Sequence, residues 1–217
     1  MNEGIRRWAK KLAKPIHVRL RSLKVELFRQ HLSVTGLTLL DVGGGAGIDG
    51  EFLRLYTQFS RVVIANLKPS FHGLEDQRVS KIVPDGRQLP FPDKSFDWVI
   101  SNAVIEHVGD CADQKHFAPE IRRVASCGSF VTTPDRYFPL ESHAFLPFYQ
   151  FLPVEVQGRV ARYSPGYVQE YAQINLLSAA QRRPLSPDAK VIYTGFSIVG
   201  NRLNAYCGKG WRHAQAA

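Results

Sequence analysis

Leu37-Thr38-Leu39-Leu40-Asp41-Val42-Gly43-Gly44-Gly45-Ala46-Gly47-Ile48-Asp49-Gly50 is the stretch on which the reading of the whole chain turns. Leu37, Leu39, Leu40 and Val42 make a short apolar run, the kind carried by a strand buried on both faces of a sheet. The glycines that follow let backbone approach a ligand closely before a helix begins. Strand, turn and helix in that order place the ligand across a helix N-terminus. Asp41 stands at the strand end, where a carboxylate repels a pyrophosphate and attracts an ammonium group.

Gly45-Ala46-Gly47-Ile48-Asp49-Gly50 has the G-x-G-x-x-G spacing of dinucleotide-binding folds, which keeps a nicotinamide-dependent oxidoreductase open as an alternative that Asp41 opposes. Read as Asp41-x-Gly43-x-Gly45-x-Gly47, the same stretch resembles the first motif of the class I S-adenosylmethionine-dependent methyltransferases, in their small-molecule, type 11-like branch. The resemblance implies an α/β fold: a Rossmann-like, doubly wound, seven-stranded and mostly parallel sheet with an antiparallel last strand and helices on both faces. It also implies S-adenosyl-L-methionine as cofactor, with Asp41, Gly43, Gly45 and Gly47 at its amino-acid end.

Downstream segments extend the resemblance to about residues 34–208. Phe52, Leu53, Tyr56 and Phe59 form the apolar face of a helix running to about Gln58, and Arg61 to Ala65 reads as the second strand. In the family that strand ends in an acid that receives both ribose hydroxyls; here the position is Asn66, followed by Leu67. An amide accepts one hydroxyl and donates to the other, with about 1 kcal/mol less than a charged partner gives. Arg78 to Val83 reads as the third strand, and the family pattern assigns Asp85 and Gly86 to the adenine edge; Asp85 also suits the opening of a turn before Gly86. Phe96 to Ser101 is the fourth strand, passing into Asn102-Ala103-Val104-Ile105-Glu106-His107, with Asn102 beside the cofactor. That run lacks the prolines and stacking aromatic of enzymes that methylate exocyclic amino groups of bases. His107, at a helix start, reads as a packing or capping residue. A helix follows over Asp113 to Ala125 with Pro119 as an expected kink, then strand five from Ser129 to Thr133 after a turn at Ser126-Cys127-Gly128.

Residues 134–185 read as an insertion roofing the acceptor pocket, because Pro134, Pro139, Pro147 and Pro153 alternate with Tyr137, Phe138, Phe145, Phe148, Tyr149 and Phe151. Ligands of open parallel sheets sit beyond the strands' carboxyl ends, beneath such a segment. Glu141 and His143 are its polar groups. His143 is the candidate general base for a hydroxyl acceptor, and an equal alternative is that both residues satisfy loop backbone. Gln173 to Ser178 reads as the cap of a short helix, and Lys190 to Thr194 and Leu203 to Cys207 as strands six and seven.

The 217 residues, 44% hydrophobic and 22% charged, fit one soluble domain. No apolar run approaches a membrane span and no signal peptide is evident, so a cytoplasmic protein is expected. Cys111, Cys127 and Cys207 are too few and too scattered for a disulfide framework or a zinc-thiolate site, and no metal is expected. Residues 1–33 form a basic amphipathic helical cap, 34–208 the domain and 209–217 a tail. Residues 1–30 hold nine basic side chains against two acidic ones, seven of the net charge of +9. Ile5, Trp8 and Leu12, then Leu20, Leu23 and Leu27, recur there at helical spacing. A solvated cap is the first reading, contact with anionic membrane the second, and nucleic acid is disfavoured. The expected activity is methyl transfer to a small-molecule, lipid-linked or glycan-like acceptor. A non-catalytic interaction protein on the same scaffold is the alternative that Asn66 suggests.

Overall fold

The computed structural model describes residues 11, 19, 22–30, 32, 37–45, 54–67, 76–141, 143–164, 174–178, 181, 185, 192–194 and 203–205. Five parallel strands form the central sheet: β1 (Thr38–Val42), β2 (Arg61–Ala65), β3 (Val79–Ile82), β4 (Phe96–Asn102) and β5 (Ala125–Thr132), in the spatial order β3-β2-β1-β4-β5. β1 is central, with Asp41 in register with Ile64 on one side and Ile100 on the other. All five strands are parallel, so their carboxyl ends share one edge, and the expected site segments follow β1, β2, β3 and β4 at that edge.

Alternation along each strand builds two cores. Leu39, Val62, Ile64, Trp98, Ile100 and Phe130 face Val25 and Phe28 of helix α1 (22–29) and Leu55, Tyr56 and Phe59 of the chain around helix α2, of which 54–56 are described. Leu40, Val42, Val63, Ala65, Val99 and Val131 face Phe117, Ala118 and Ile121 of α3 (Cys111–Arg123). Helices thus cover both faces, as expected. The same alternation turns Asp41 toward Tyr56 and α1.

Several expectations are corrected. Of the expected leucine stripe, Leu20 lies outside the described residues, Leu27 packs partly buried against the core and Leu23 is 38% exposed, while Lys24, Val25 and Phe28 are buried and Phe28 packs edge-on to Trp98. One turn of helix brings positions i, i+1 and i+4 to a single side, and aromatic partners on β4 and β5 decide which side that is. α3 begins at Cys111, two residues before the expected start, because Asp110 caps it and Asp113 returns a bond to the Asp110 amide. The helix carries Pro119 in its interior without a break. The turn expected at Ser126-Cys127-Gly128 is strand instead: β5 starts at Ala125, and Gly128 lies against the Trp98 ring, where a Cβ would come within 2.6 Å of it. That glycine serves close packing rather than a turn.

Seven strands in one sheet are not assembled among the described residues. β8 (Ile192–Thr194) and β9 (Leu203–Ala205) form a separate antiparallel pair, with β9 beside β5. Gln173 lies outside the described residues. Ile174 to Leu177 carries no regular element beyond the bridge of Leu177 to Asp135, and Ser178 caps as expected: its hydroxyl accepts the Gln181 amide at 3.3 Å while the Gln181 side chain accepts the Ser178 amide at 2.9 Å. Within the roof, β6 (Leu140–Glu141) pairs with β7 (Leu146–Pro147), followed by a 3-10 turn at Tyr149–Phe151 and helix α4 (Val154–Ala161).

Candidate functional site

Asp41 is the centre of the site. It is 3% exposed, accepts a hydrogen bond from the Tyr56 hydroxyl, and lies directly beneath the glycine turn. A Cβ at Gly44 would fall 2.5 Å from its carboxyl carbon, so only glycine lets the turn rest on the acid. Gly43 and Gly45 take φ of +86° and +105°, which an L side chain adopts only with strain. Burial pushes the Asp41 carboxyl up to about 7 against the opposing pull of Tyr56, and the same desolvation and the charge of Asp41 raise Tyr56. Gly47, assigned to the same turn by sequence, lies outside the described residues, as do Phe52 and Leu53 of the expected helix face.

Asn66 follows β2, and its amide nitrogen donates to the carbonyls of Gly44 at 2.7 Å and Gly43 at 3.3 Å. The same amide thereby braces the turn. Leu67 beside it is 66% exposed, an uncovered apolar side chain at the carboxyl edge. Asp85 follows β3; Arg87 holds it at 2.6 Å, binds Asp113 at 2.7 Å, and keeps the Asp85 carboxyl below the usual range. The Arg87 amide also bonds Asp85, so the turn-opening role is present as well. Gly86 packs against Phe117 and Val42. The loop beyond is fixed by Arg123, which donates to the Leu89 and Phe91 carbonyls and to Asp93 and Glu120.

Asn102 ends β4 on the α1 side. Its carbonyl oxygen accepts from Lys24 Nζ at 3.0 Å and from Thr132 Oγ1 at 2.8 Å, Thr132 being its register partner on β5. Lys24 is therefore buried and not one of the solvated charges of an N-terminal arm, as its surroundings in sequence suggest. Ala103 then takes φ of +56°, turning the chain sharply so that Val104 crosses over Gly43. The 3-10 turn Ile105–His107 follows, and Glu106 and His107 come to lie beneath the roof.

There the structure gathers a second polar group. Glu106 is 0% exposed; its Oε2 accepts from Thr133 at 3.1 Å, and its Oε1 has no hydrogen-bond partner. His143 comes down from the roof with Nε2 4.0 Å from that Oε1. Its Nδ1 bonds Glu141 at 2.7 Å, and Glu141 also accepts the amides of His143 and Ala144. The His107 and His143 rings meet edge-on with centroids 4.9 Å apart. Burial raises the Glu106 carboxyl. Burial works to raise Glu141 as well, but the His143 and Ala144 bonds win and hold it low. His143 is raised because the bond and charge of Glu141, with the charge of Glu106, outweigh its desolvation.

The sequence-assigned residues described after β1 and β2 surround one glycine turn, those after β3 lie farther along the same edge, and His143 belongs to the second group. Sequence reading missed Lys24 and the pairing of Glu106 with His143. Charge within a helix does not reveal burial, and residues 37 positions apart give no local signal; the one available cue was the Glu106-His107 pair just after a strand end. As a receptacle, the first group suits an amino-acid-bearing nucleoside: a buried acid beneath exposed backbone, with an uncovered apolar side chain alongside.

Residues 40–132 match the model of a family described as a methyltransferase domain. Among solved structures, the chain is similar to magnesium protoporphyrin IX methyltransferase from Synechocystis PCC 6803 with bound SAH, at 14% identity and a TM-score of 0.60, covering 89% of this chain and 84% of that one. It is similar also to a SAM-dependent methyltransferase from Aquifex aeolicus, at 15% identity and a TM-score of 0.53, covering 85% and 87%. A third is phosphoethanolamine N-methyltransferase 2 from Haemonchus contortus in complex with S-adenosyl-L-methionine, at 19% identity and a TM-score of 0.55, covering 79% of this chain and 38% of that one. No significant sequence match to a curated protein is found.

Proposed function

We propose, from the premise that over residues 40–132 the chain belongs to the class I methyltransferases, that it transfers a methyl group from S-adenosylmethionine to a hydroxyl of a small-molecule, lipid-linked or glycan-like acceptor. The observation that carries the reading is the buried Asp41 carboxylate packed under the Gly43 to Gly45 turn at the carboxyl edge of the central strand. Asp41 and the turn receive the amino-acid end of the cofactor. Leu67 covers the adenine face, Asn66 keeps the turn in shape beside the ribose, and Asp85 and Gly86 form the adenine edge. Asn102, held by Lys24 and Thr132, closes the inner wall.

When bound, the cofactor supplies a methyl on a sulfonium that is already a good leaving group, so the chain's own task is alignment and removal of the acceptor's proton. Glu141 fixes the Nδ1 side of His143, which turns the Nε2 lone pair toward Glu106 and toward the acceptor hydroxyl. The roof bears exposed Tyr137, Phe148, Phe151 and Tyr163 together with Arg136, Arg159 and Arg162. With the basic residues that precede α1 in sequence, the chemistry of this surface favours an acceptor met at an anionic membrane.

Calorimetric titration with S-adenosylhomocysteine tests the cofactor half. Micromolar affinity, about −8 kcal/mol, is expected. Binding of NAD in its place would return the oxidoreductase alternative. If S-adenosylhomocysteine binds but no labelled methyl turns over across an acceptor screen, the interaction-protein reading takes over.

A further inference from the structure

The unpartnered Oε1 of Glu106 is the feature that methyl transfer by alignment leaves without a duty. A wholly buried carboxylate oxygen lacking a donor is costly unless something fills the gap it faces. It faces His143 Nε2 at 4.0 Å, and a donor nitrogen of His107 completes a set of three ligand atoms lying within 4.8 Å of one another. We propose that Glu106, His107 and His143 form a divalent-cation site, suited to zinc, whose open position takes the hydroxyl oxygen of the acceptor.

Two geometric observations support this, and the residue types agree with them. Zinc bonds to imidazole nitrogen and carboxylate oxygen are each about 2.0–2.2 Å, so one ion spans about 3.4 Å between ligands at a tetrahedral angle, and the ligand atoms, 4.0 Å apart for Glu106 and His143 and within 4.8 Å for all three, draw together to hold it. Glu141 on Nδ1 of His143 supplies the carboxylate–histidine–metal arrangement that orients a ligating imidazole and fixes which nitrogen faces the ion. Two histidines and one carboxylate with an open fourth position are the donor set of a catalytic rather than a structural zinc, and zinc needs no cysteine in such a site.

The surrounding charges favour the ion once the acceptor is bound. Binding the ion requires an ionised Glu106 and neutral imidazoles; the carboxylates of Glu106 and Glu141 and the ammonium of Lys24 then leave one net negative charge, which a dication turns to one positive and an ionised acceptor oxygen restores to neutrality. The ion acidifies the hydroxyl bound to it, whose proton leaves to solvent, so the His143 lone pair acts on the acceptor through the metal. This deepens the methyl-transfer reading of the same edge and rests on it for the identity of the fourth ligand.

The test uses the full chain stripped with a chelator and titrated with zinc chloride by calorimetry, and with cobalt chloride by absorption. One equivalent of zinc is expected, with a cobalt spectrum of nitrogen and oxygen ligation lacking a thiolate band. Glu106→Gln and His107→Gln should each weaken zinc at least about tenfold, and Glu141→Gln by about 10- to 100-fold. No stoichiometric zinc binding by the unaltered protein, a thiolate cobalt spectrum, or affinity unmoved by both first variants overturns the site. The cobalt spectrum needs no variant, so a misfolded mutant does not blunt the test. S-adenosylhomocysteine titrated into the same stripped protein separates the two readings: its binding without zinc binding removes the metal and keeps the methyltransferase, and the converse does the opposite.

Discussion

Asp41 sets stability against binding at a single carboxyl. Its folded pKa is raised to about 7 by burial, from an ordinary 3.8, so the folded state holds the proton more tightly than the unfolded chain. Stability from this group is therefore complete below about pH 4 and is lost as pH rises through 7, at about 1.4 kcal/mol for every tenfold difference in proton affinity between the two states. Asp41→Asn keeps an acceptor for Tyr56 and removes the charge, so urea melts should show the variant more stable than wild type at pH 8 and nearly equal to it at pH 4. The same variant should bind S-adenosylhomocysteine at least about tenfold more weakly, and wild-type affinity should climb from pH 6 to pH 8 as the carboxyl ionises to meet the ligand's ammonium. A flat pH profile would mean that Asp41 does not face the ammonium. Asp41 was legible in the sequence because acid, strand and glycines are contiguous. Lys24, Tyr56 and Glu106 were not, since their roles arise only where distant segments meet: Lys24 meets Asn102 across 78 positions.

At the scale of elements, the strands were the most legible part, because an apolar run of four to six residues between turn residues has few other uses. β2 matches its expected span from Arg61 to Ala65, and β4 extends one residue beyond expectation to Asn102. Errors fell where packing overrode local pattern. Gly128 reads as a turn residue until Trp98 is placed against it, and Leu23 reads as a buried partner of Leu27 until Trp98 and Phe130 select Val25 and Phe28. α1 is thus part of the core and not an appended arm. Phe28→Ala should lower unfolding free energy by about 3–5 kcal/mol in urea titration, the range for removing a buried aromatic. A loss below about 1 kcal/mol would show that α1 packs too loosely to hold Lys24 against Asn102.

At the scale of the whole molecule, a parallel sheet delivers residues from four strand ends and a roof to a single edge, which is why short motifs scattered over a hundred positions converge on two adjoining polar groups. No helix among the described residues is long and apolar enough to cross a membrane. Attachment through the basic residues ahead of α1 and the aromatic roof is expected to be electrostatic: vesicles containing anionic lipid should sediment the full chain, added salt should release it, and neutral vesicles should leave it in the supernatant. Equal sedimentation with both vesicle types would remove the electrostatic contribution. The contact between Lys24 and Asn102 carries a further consequence for synthesis. The segment that forms α1 leaves the ribosome before its polar partner, which follows 78 residues later, a delay of roughly 4–16 s at synthesis rates of about 5–20 residues per second. Until then Phe28 and Val25 have no Trp98 or Phe130 to cover them, so the nascent chain spends those seconds displaying a basic, apolar segment that nascent-chain chaperones are built to shelter.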